Sequence, residues 1–402
     1  MLRSLFSGIS GLRAHQTMMD VVSNNIANVN TAGYKSSSVL FEDTLSQMMR
    51  ASAASTDTSG GLNPTQVGLG VQVAGIQTNF TQGSTQTTNK ATDLQVQGDG
   101  FFVLQNGNEQ VYSRAGGFTL DSSGYLMNNE GMYVMGYAAT DGTISSYGSL
   151  SKIKMPTGTT IPGQATGQVT LGGNVSPTGT TALTVTSTVY DENGAAHAVP
   201  IMLTPHDPVD GSYDVAVLDP SDNTNQLASG SVSFDAAGVF DAGSSTSPLT
   251  FDVNGVTMSL DLSKLTGYSG TSSPTVKSSD GYAAGTLTQF QIGGDGVVTG
   301  IFDNGQKQAL GQIALATFNN PAGLEKLGDS TFRASANSGL AQVGVAASGG
   351  RGTMVSGALE MSNVDLGAEF TNLIIAQRGF QANSKVITAS DEVLQDLINI
   401  KR

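Results

Sequence analysis

A repeat of apolar side chains near the C-terminus constrains the fold of this chain more than any other feature. Every seventh position holds a large apolar residue, without a miss: Leu366, Leu373, Phe380, Ile387 and Leu394. This spacing is typical of a helix that buries one stripe against a partner helix. A helix over residues 365–400 would be roughly 50 Å long, more than a compact domain of ordinary size needs. A core helix of an ordinary bundle is the simpler alternative.

The apolar face of this predicted helix is broader than a single stripe. Phe370 and Ile374 widen it on one side, and Val386 and Val393 widen it on the other. A face of that width drifts around the helix along its length. We therefore expect that one partner helix does not cover it.

Polar residues in front of the repeat indicate where the helix begins. Ser362, Asn363 and Asp365 are N-cap candidates, and Ser362 and Asp365 have the spacing of a capping box. Lys401 and Arg402 suit the negative end of the helix dipole at the C-terminus.

The N-terminus carries a second heptad pattern. Its apolar positions are Leu2, Leu5, Ile9, Leu12, Met19 and Ile26. Gly8 and Gly11 lie inside this predicted helix, at a cost of about 1 kcal/mol each. The helix should therefore become ordered only when it packs against something, and the C-terminal repeat is the obvious partner.

Composition excludes several classes of function. The net charge of −14 argues against nucleic acid and against an anionic membrane surface as partners. The chain has no Cys, so disulfides, thiolate metal sites and cysteine nucleophiles are excluded. No apolar run is long enough for a membrane span, and the first residues lack the pattern of a cleaved signal peptide.

Between the two helical ends, the pattern changes to the alternation of β-strands, with Asn-Gly pairs that predict hairpin turns. We predict a mixed, mainly β chain with two nested β-domains, one inserted in the other, bracketed by long N- and C-terminal helices. The predicted parts are the terminal helices (1–35 with 360–402), a connecting segment (36–66), a discontinuous β-domain (67–146 with 281–359) and an inserted outer β-domain (147–280). Within the connecting segment, residues 36–50 suggest an amphipathic piece.

No pattern in the sequence carries catalysis. Ser149 and Lys152 fit the S-x-x-K spacing of serine acylases, but the companion motifs are missing. The acidic residues beside His206, from Asp207 to Asp214, suggest a cation site, although Pro208 makes a plain turn the better interpretation. We expect no catalytic residue, no metal site and no cofactor.

Residues 24–35 read NNIANVNTAGYK, which resembles the N-terminal signature of the bacterial flagellar axial proteins, the rod, hook and hook-associated families. The signature residues are Asn24, Asn25, Asn28, Asn30, Gly33 and Tyr34. The stretches 357–366, 376–385 and 394–399 resemble the closing helix of the hook protein, with Gln377, Arg378 and Asn383 among the matching residues. Residues 97–137 resemble a β-domain that hook and distal rod proteins share. Because distal rod proteins are much shorter and lack a domain like 147–280, hook is the better match.

The resemblance implies a structural subunit of the flagellar hook. The terminal helices would form a coiled-coil core on assembly, an inner tube around the export channel, and the β-domains would form outer layers. The apolar residues of both heptad patterns, together with Phe370, would then be the assembly interface. The hook is a curved tubular polymer that acts as a universal joint and transmits motor torque to the filament.

Partners and location follow from the same resemblance. We expect contacts with other copies of the chain, with the distal rod, hook cap and hook-filament junction proteins, and with the flagellar export apparatus. We expect no nucleic acid and no membrane as partner. The hook lies at the cell exterior, and its subunits are exported without a cleaved signal peptide. A distal-rod-like axial subunit and a secreted β-rich glycan-binding protein are the alternatives.

The stretch 46–64 looks longer than its counterpart in the shortest hook proteins and resembles an insertion of the rigid rod. We hypothesise that it lies between neighbouring subunits and stiffens this hook.

Overall fold

The computed structural model describes residues 2–52, 54, 60–140, 142–145, 148–155, 158–207, 211–222 and 225–400. Contacts divide the chain into two compact units. The first unit contains Met1–Met155, Phe290–Thr299 and Ala309–Arg402, and the second contains Pro156–Gln289 and Gly300–Gln308. Helix α1 (Leu2–Ala27) and helix α2 (Leu366–Ile400) both belong to the first unit.

Asp365 is the N-cap of α2. Its Oδ1 accepts hydrogen bonds from the backbone N–H groups of Gly367 at 2.8 Å and Ala368 at 3.3 Å. The sequence offered Ser362, Asn363 and Asp365 as N-cap candidates, and Asp365 is the one that caps the helix. The predicted capping box between Ser362 and Asp365 is wrong, because Asp365 occupies the N-cap position and not the third position of the helix. Lys401 and Arg402 lie outside the described residues.

The strands of the described chain carry the following bounds. They are β1 (Ser37–Asp43), β2 (Ser46–Arg50), β3 (Thr65–Gly68), β4 (Val71–Thr78), β5 (Thr85–Thr87), β6 (Leu94–Gln97), β7 (Phe101–Asn106), β8 (Glu109–Ser113), β9 (Phe118–Leu120), β10 (Leu126–Asn128), β11 (Tyr133–Thr140), β12 (Thr143–Ile144), β13 (Ser151–Lys152), β14 (Thr160–Ile161), β15 (Gln168–Asn174), β16 (Leu183–Tyr190), β17 (Ala196–Asp207), β18 (Ser212–Leu218), β19 (Gln226–Val232), β20 (Leu249–Val253), β21 (Val256–Thr266), β22 (Thr275–Ser279), β23 (Gly285–Ile292), β24 (Val297–Phe302), β25 (Lys307–Thr317), β26 (Glu325–Gly328), β27 (Thr331–Arg333), β28 (Gln342–Val345), β29 (Thr353–Ser356) and β30 (Ala358–Glu360). A 3₁₀ turn spans Pro321–Gly323.

The first unit is built on one antiparallel sheet. Strands β25, β11, β7, β8, β27 and β26 lie side by side in that order, and β28 pairs with β25. Aliphatic residues such as Leu94, Leu104 and Leu315 fill one core, and an aromatic group around Phe101 and Phe332 fills another. The short pairs β29–β6 and β30–β5 bring the chain back to the start of α2.

The connecting segment forms two antiparallel strand pairs, β1 with β4 and β2 with β3. The sequence suggested an amphipathic piece over residues 36–50, and the structure makes this piece strands β1 and β2. Both strands contain a register shift, at Leu40/Phe41 and between Met48 and Arg50. Such bulges break the strict alternation from which a strand is recognised.

The second unit is a β-sandwich. One four-stranded sheet has the order β20-β21-β15-β22, and the other has the order β16-β17-β18-β19. Apolar residues of both sheets, among them Leu171, Ile201, Val215 and Leu260, form one shared core. The predicted fold class is confirmed, because the chain is mainly β and is bracketed by two long terminal helices that are in contact.

Candidate assembly surface

Helices α1 and α2 pack along each other. The half-buried heptad residues are Leu5, Ile9, Leu12, Met19 and Ile26 of α1 and Leu373, Phe380, Ile387 and Leu394 of α2. The side chain of Leu2 lies outside the described part of the chain. The predicted contact between the two helices is thus confirmed. Leu366, the first residue of the C-terminal repeat, is exposed. The role of the heptad residues in an assembly interface stays a prediction.

Glycines allow the two helices to approach closely. A Cβ on Gly11 would lie 2.7 Å from the amide of Asn383, and a Cβ on Gly379 would overlap the His15 ring. A Cβ on Gly8 would lie 3.3 Å from Ile387 Cγ1, a tight contact that only a small shift of this side chain would relieve. The glycines that weaken α1 as an isolated helix therefore shape its contact with α2.

Large apolar side chains remain exposed on both sides of the strip that α1 covers. Leu366, Phe370 and Ile374 follow each other at four-residue spacing on one side, and each is at least 40% exposed. At 100° per residue, Ile375, Val386 and Val393 lie about 100–180° around the helix from them. These three are at least 42% exposed. We call the two sets the α2 flanks; one partner helix does not cover α2, as its sequence predicted.

Asn25 joins the end of α1 to the first strand and to α2. Its Oδ1 accepts hydrogen bonds from Ser37 N–H at 3.0 Å and Tyr34 Oη at 3.1 Å. Its Nδ2 donates to Ser37 O at 2.8 Å and to Glu369 Oε1 at 2.9 Å. The Asn25 side chain is 1% exposed, so each of these bonds is shielded from water.

We call these contacts of Asn25 with the end of α1, strand β1 and α2 the joint. Two further signature residues support it. Asn24 Oδ1 accepts a hydrogen bond from Tyr34 Oη at 2.9 Å. Asn28 Nδ2 donates to Asn24 O at 2.9 Å, a carbonyl oxygen near the end of α1 that also accepts the Asn28 backbone N–H at 3.2 Å. The asparagines of the signature thus terminate the helix and fix the direction of the chain that follows.

Gly33 lies in the turn that follows α1. Its N–H donates to Glu360 O at 2.7 Å, and its φ is +70°. A Cβ at this position would lie 2.5 Å from Ala115 N. Both the backbone conformation and the close approach therefore require glycine.

The remaining signature residues differ in their surroundings. Asn383 Nδ2 donates to Gly379 O at 2.9 Å, at the contact between the helices. Arg378 Nη1 donates to Gln381 Oε1 at 3.4 Å on the exposed surface of α2. Asn30 and Gln377 are exposed. The signature therefore divides into residues that build the joint and residues that face outward.

Lys35, at the end of the signature, belongs to a buried cluster of charges with Glu360 and Arg114. Lys35 Nζ is 2.6 Å from Glu360 Oε1, and both side chains are fully buried. Gly83 N–H donates to the same oxygen at 2.9 Å, while Arg114 Nη1 is 3.5 Å from Glu360 Oε2. Burial lowers the pKa of Lys35 and that of Arg114, and the Glu360 carboxylate opposes both shifts.

Glu369, in the first turn of α2, has only one satisfied carboxylate oxygen. Oε1 accepts from Asn25, while the buried Oε2 has no hydrogen-bond partner. Burial raises the pKa of Glu369, and the nearby Asp365 charge adds to the shift. Burial, and then the Glu369 charge, raise the pKa of Tyr34.

Sequence reasoning did not identify Lys35, Arg114 and Glu360 as functional residues. A signal was present for Lys35 alone, because it is the single charged residue of the stretch 24–35, whereas the stretches that contain Arg114 and Glu360 hold further charged residues. Charged residues in stretches otherwise poor in charge are candidates for buried ion pairs.

The residues considered for catalysis and for cation binding contact neighbouring side chains in the structure. Lys152 Nζ lies 3.9 Å from the centroid of the Tyr133 ring, a cation–π contact. His206 Nδ1 lies 3.0 Å from Asp214 Oδ2, whereas Asp210 and the side chain of Asp207 lie outside the described residues. No group of three or more His, Asp or Glu residues with metal-binding geometry occurs among the described residues. No described helix is long and apolar enough to cross a membrane.

Four family models match successive parts of the chain. Residues 5–35 match the flagella basal body rod protein model, and residues 95–180 match the flagellar hook protein FlgE/F/G D1 domain. Residues 140–282 match the flagellar basal body protein FlaE D2 domain. Residues 355–400 match the flagellar basal body rod FlgEFG protein C-terminal model.

Full-length relatives are named as hook and rod proteins. The chain is 37% identical to the flagellar hook protein FlgE of Borreliella burgdorferi, over 100% of both chains. It is 35% identical to FlgE of Salmonella typhimurium, over 99% of this chain and 100% of the relative. A Bacillus subtilis relative named flagellar basal-body rod protein FlgG is 33% identical over 100% of both chains.

Similarity to a solved structure supports the fold. The crystal structure of Helicobacter pylori flagellar hook protein FlgE2 matches 69% of this chain and 100% of that chain, with a TM-score of 0.52 and 15% identity. Together with the full-length relatives, these matches show that the chain belongs to the flagellar hook protein FlgE family and is a structural subunit of the hook.

Proposed function

We propose that this chain assembles into the curved tube of the hook through its terminal helices, with the α2 flanks as the contact between neighbouring copies. The observation that carries the proposal is the exposure of both flanks beside the strip that α1 covers. Phe370 is 50% exposed and Ile374 is 57% exposed. Contiguous exposed apolar surface of this kind is typical of an interaction site.

The geometry of the flanks favours an open polymer. The two flanks lie on different sides of one helix and differ in their residues, so a contact between them is heterologous. A heterologous contact whose rotation does not close gives a helical tube. Helices packed side by side in this way would form the wall of an inner channel, and both heptad patterns would lie within that wall.

The second unit suits the outer part of a joint that bends. Among the described residues of that unit, only Val239 and Tyr268 are exposed large apolar side chains. A surface of this composition would make small and polar contacts, which exchange easily between neighbours. Such contacts would let the outer layers slide while the helices transmit torque, as a universal joint requires.

The ends of the polymer would contact other axial proteins. On this proposal, the hook lies between the distal rod protein and the hook-filament junction proteins, and it grows beneath the hook cap at the cell exterior. The subunit would leave through the flagellar export apparatus without a cleaved signal peptide. Its work would be mechanical, without catalysis or a cofactor.

The relative named as a rod protein favours one alternative, a rod-like subunit that would form straight tubes.

Electron microscopy of the concentrated chain, with hook cap protein supplied, tests the proposal. Wild type should form curved tubes, and Phe370→Asp should remain monomeric because a charge on the flank cannot be buried without a partner. Tyr268→Asp is the matched control, since Tyr268 is 52% exposed in the second unit. This variant should still form tubes. Straight wild-type tubes would support the rod alternative, and absence of tubes would refute the proposal.

A further inference from the structure

The hairpin that joins β20 to β21 places an asparagine amide beside a histidine. Asn254 and Gly255 form its two-residue turn, and both have positive φ, +52° and +84°. Asn254 Nδ2 lies 3.2 Å from His197 Nε2, which belongs to strand β17 of the opposite sheet. Asp191 Oδ2 lies 3.3 Å from the same ring nitrogen. The three side chains therefore meet at a contact between the two sheets of the second unit.

This contact bears on a reaction to which Asn-Gly pairs are prone. The backbone nitrogen of the glycine can attack the side-chain carbonyl carbon of the asparagine, because glycine has no side chain to hinder the approach. A succinimide ring forms and ammonia leaves, and water then opens the ring to aspartate or isoaspartate. The reaction needs a base for the attacking nitrogen and an acid for the leaving nitrogen.

Both groups are present at this turn. Gly255 N–H donates to Asp252 Oδ1 at 2.9 Å, so this carboxylate is in place to take the proton of the attacking nitrogen. His197 Nε2 lies within reach of the leaving nitrogen, and the Asp191 carboxylate favours the form of the ring in which Nε2 carries a proton. In the tetrahedral intermediate, Nδ2 becomes an amine whose lone pair accepts that proton.

We propose that Asn254 is a site of self-catalysed deamidation, with Asp252 as general base and His197 as general acid. Gly255 N forms a bond to Asn254 Cγ and gives its proton to Asp252 Oδ1. The bond between Cγ and Nδ2 then breaks as Nδ2 takes the proton of His197 Nε2, and ammonia leaves. Water opens the succinimide ring, and the proton on Asp252 returns to His197. Water is thus the only co-reactant that the reaction consumes.

The turn leaves room for the attack. The peptide group between Asn254 and Gly255 must rotate to bring the nitrogen to Cγ, and a Cβ added to Gly255 would meet nothing within 4 Å. Both residues are exposed, so water reaches the ring once it has formed. Isoaspartate would lengthen the backbone of a two-residue turn, which conflicts with the pairing of Val253 with Val256. The product would therefore weaken the second unit.

Asn304-Gly305 is a matched control within the same unit. Gly305 N–H donates to Phe302 O at 3.0 Å, and a backbone carbonyl oxygen does not act as a base at neutral pH. Asn304 Nδ2 donates to Ala283 O at 2.8 Å, so its amide is held by the backbone and not by a histidine. The dipeptide is the same at both turns, and only its surroundings differ.

Peptide mass spectrometry of the full chain, kept folded at neutral pH over several weeks, tests the inference. Asn254 should convert at least about tenfold faster than Asn304. Asp252→Asn and His197→Gln should each slow conversion at Asn254 about tenfold and leave Asn304 unchanged. His206→Gln, in the same strand as His197, should convert as wild type does.

The measure is the ratio of the rate at Asn254 to the rate at Asn304. A variant that loosens the whole unit raises both rates, so the ratio still reports the local chemistry. A wild-type ratio near one, or a ratio that either substitution leaves unchanged, would overturn the inference. The test needs no tubes, so its result is independent of the proposed function.

Discussion

Glu360 Oε1 lies 2.6 Å from Lys35 Nζ in the fully buried interior of the first unit. Lys35 ends the N-terminal signature, and Glu360 ends the strand that leads to α2. The pair therefore joins the two chain segments from which the terminal helices leave the β-sheet. A buried ion pair contributes little net stability by itself, but loss of one partner leaves a charge without compensation. This asymmetry makes the intact pair important for the stability of the region from which both helices leave the sheet.

Glu360→Gln should destabilise the first unit by about 3–5 kcal/mol, because Lys35 and Arg114 then lose their counter-charge in a buried site. Urea unfolding followed by circular dichroism measures the loss. Glu325→Gln is the control, since Glu325 forms an exposed ion pair with Arg333. The control should change stability little. Equal stability of the two variants would contradict a central role for the buried pair.

Glu369 should make the joint more stable in acid. Its pKa is raised by burial, so its contribution to folding is complete below the ordinary value of 4.5 and is lost as the pH rises through the folded-state pKa. Glu369→Gln should remove this dependence and stabilise the neutral joint, because an amide needs no buried charge. Urea midpoints of both proteins, compared below the ordinary value of 4.5 and at neutral pH, test the sign. Parallel pH profiles would refute the assignment, and Glu392→Gln on exposed α2 surface should behave as wild type.

Gly379→Ala should weaken the pairing of α1 and α2, although alanine is the better helix former by about 1 kcal/mol. Its Cβ would overlap the His15 ring. Gly8→Ala is the matched comparison and should cost less, since its Cβ would lie 3.3 Å from Ile387 Cγ1, the end of a flexible side chain that a small shift would move away. Thermal melting of the helical signal distinguishes the two. Adding His15→Ala to Gly379→Ala should restore the melting temperature of the helical signal. A melting temperature that stays low in the double variant would contradict the overlap as the cause.

The heptad patterns predicted the contact between the terminal helices because a helix repeats its buried face at a fixed interval along the sequence. Turn chemistry was equally informative. Asn254-Gly255 was predicted as a hairpin turn, and it joins β20 to β21 with both residues at positive φ. Local rules such as these operate over a few residues, so a single sequence displays them.

The contact between Lys35 and Glu360 could not be predicted in this way. The two residues are 325 positions apart, and their contact depends on how the sheet folds between them. Strands β1 and β2 were missed because bulges interrupt their alternation and because several of their apolar residues, such as Leu40 and Met48, are exposed.

Deletion of residues 51–61 should make the hook bend more easily. Strands β2 and β3 pair at the base of this stretch and expose Met48, Met49 and Val67. We propose that this apolar surface lies between neighbouring subunits, where it would resist sliding. The curvature of tubes in electron micrographs measures bending. Unchanged stiffness in tubes of the shortened chain would refute the hypothesis.

Protection of Ile374 on assembly is the most direct test of the central claim. A thiol-reactive maleimide should label Ile374→Cys readily in the single chain, where the position is 57% exposed. In assembled tubes, labelling at this position should fall by at least about tenfold, because the α2 flank is then buried against a neighbour. Glu192→Cys, at an exposed position of the second unit, should be labelled in both states. Equal labelling of Ile374→Cys in single chains and in tubes would contradict assembly through the α2 flanks.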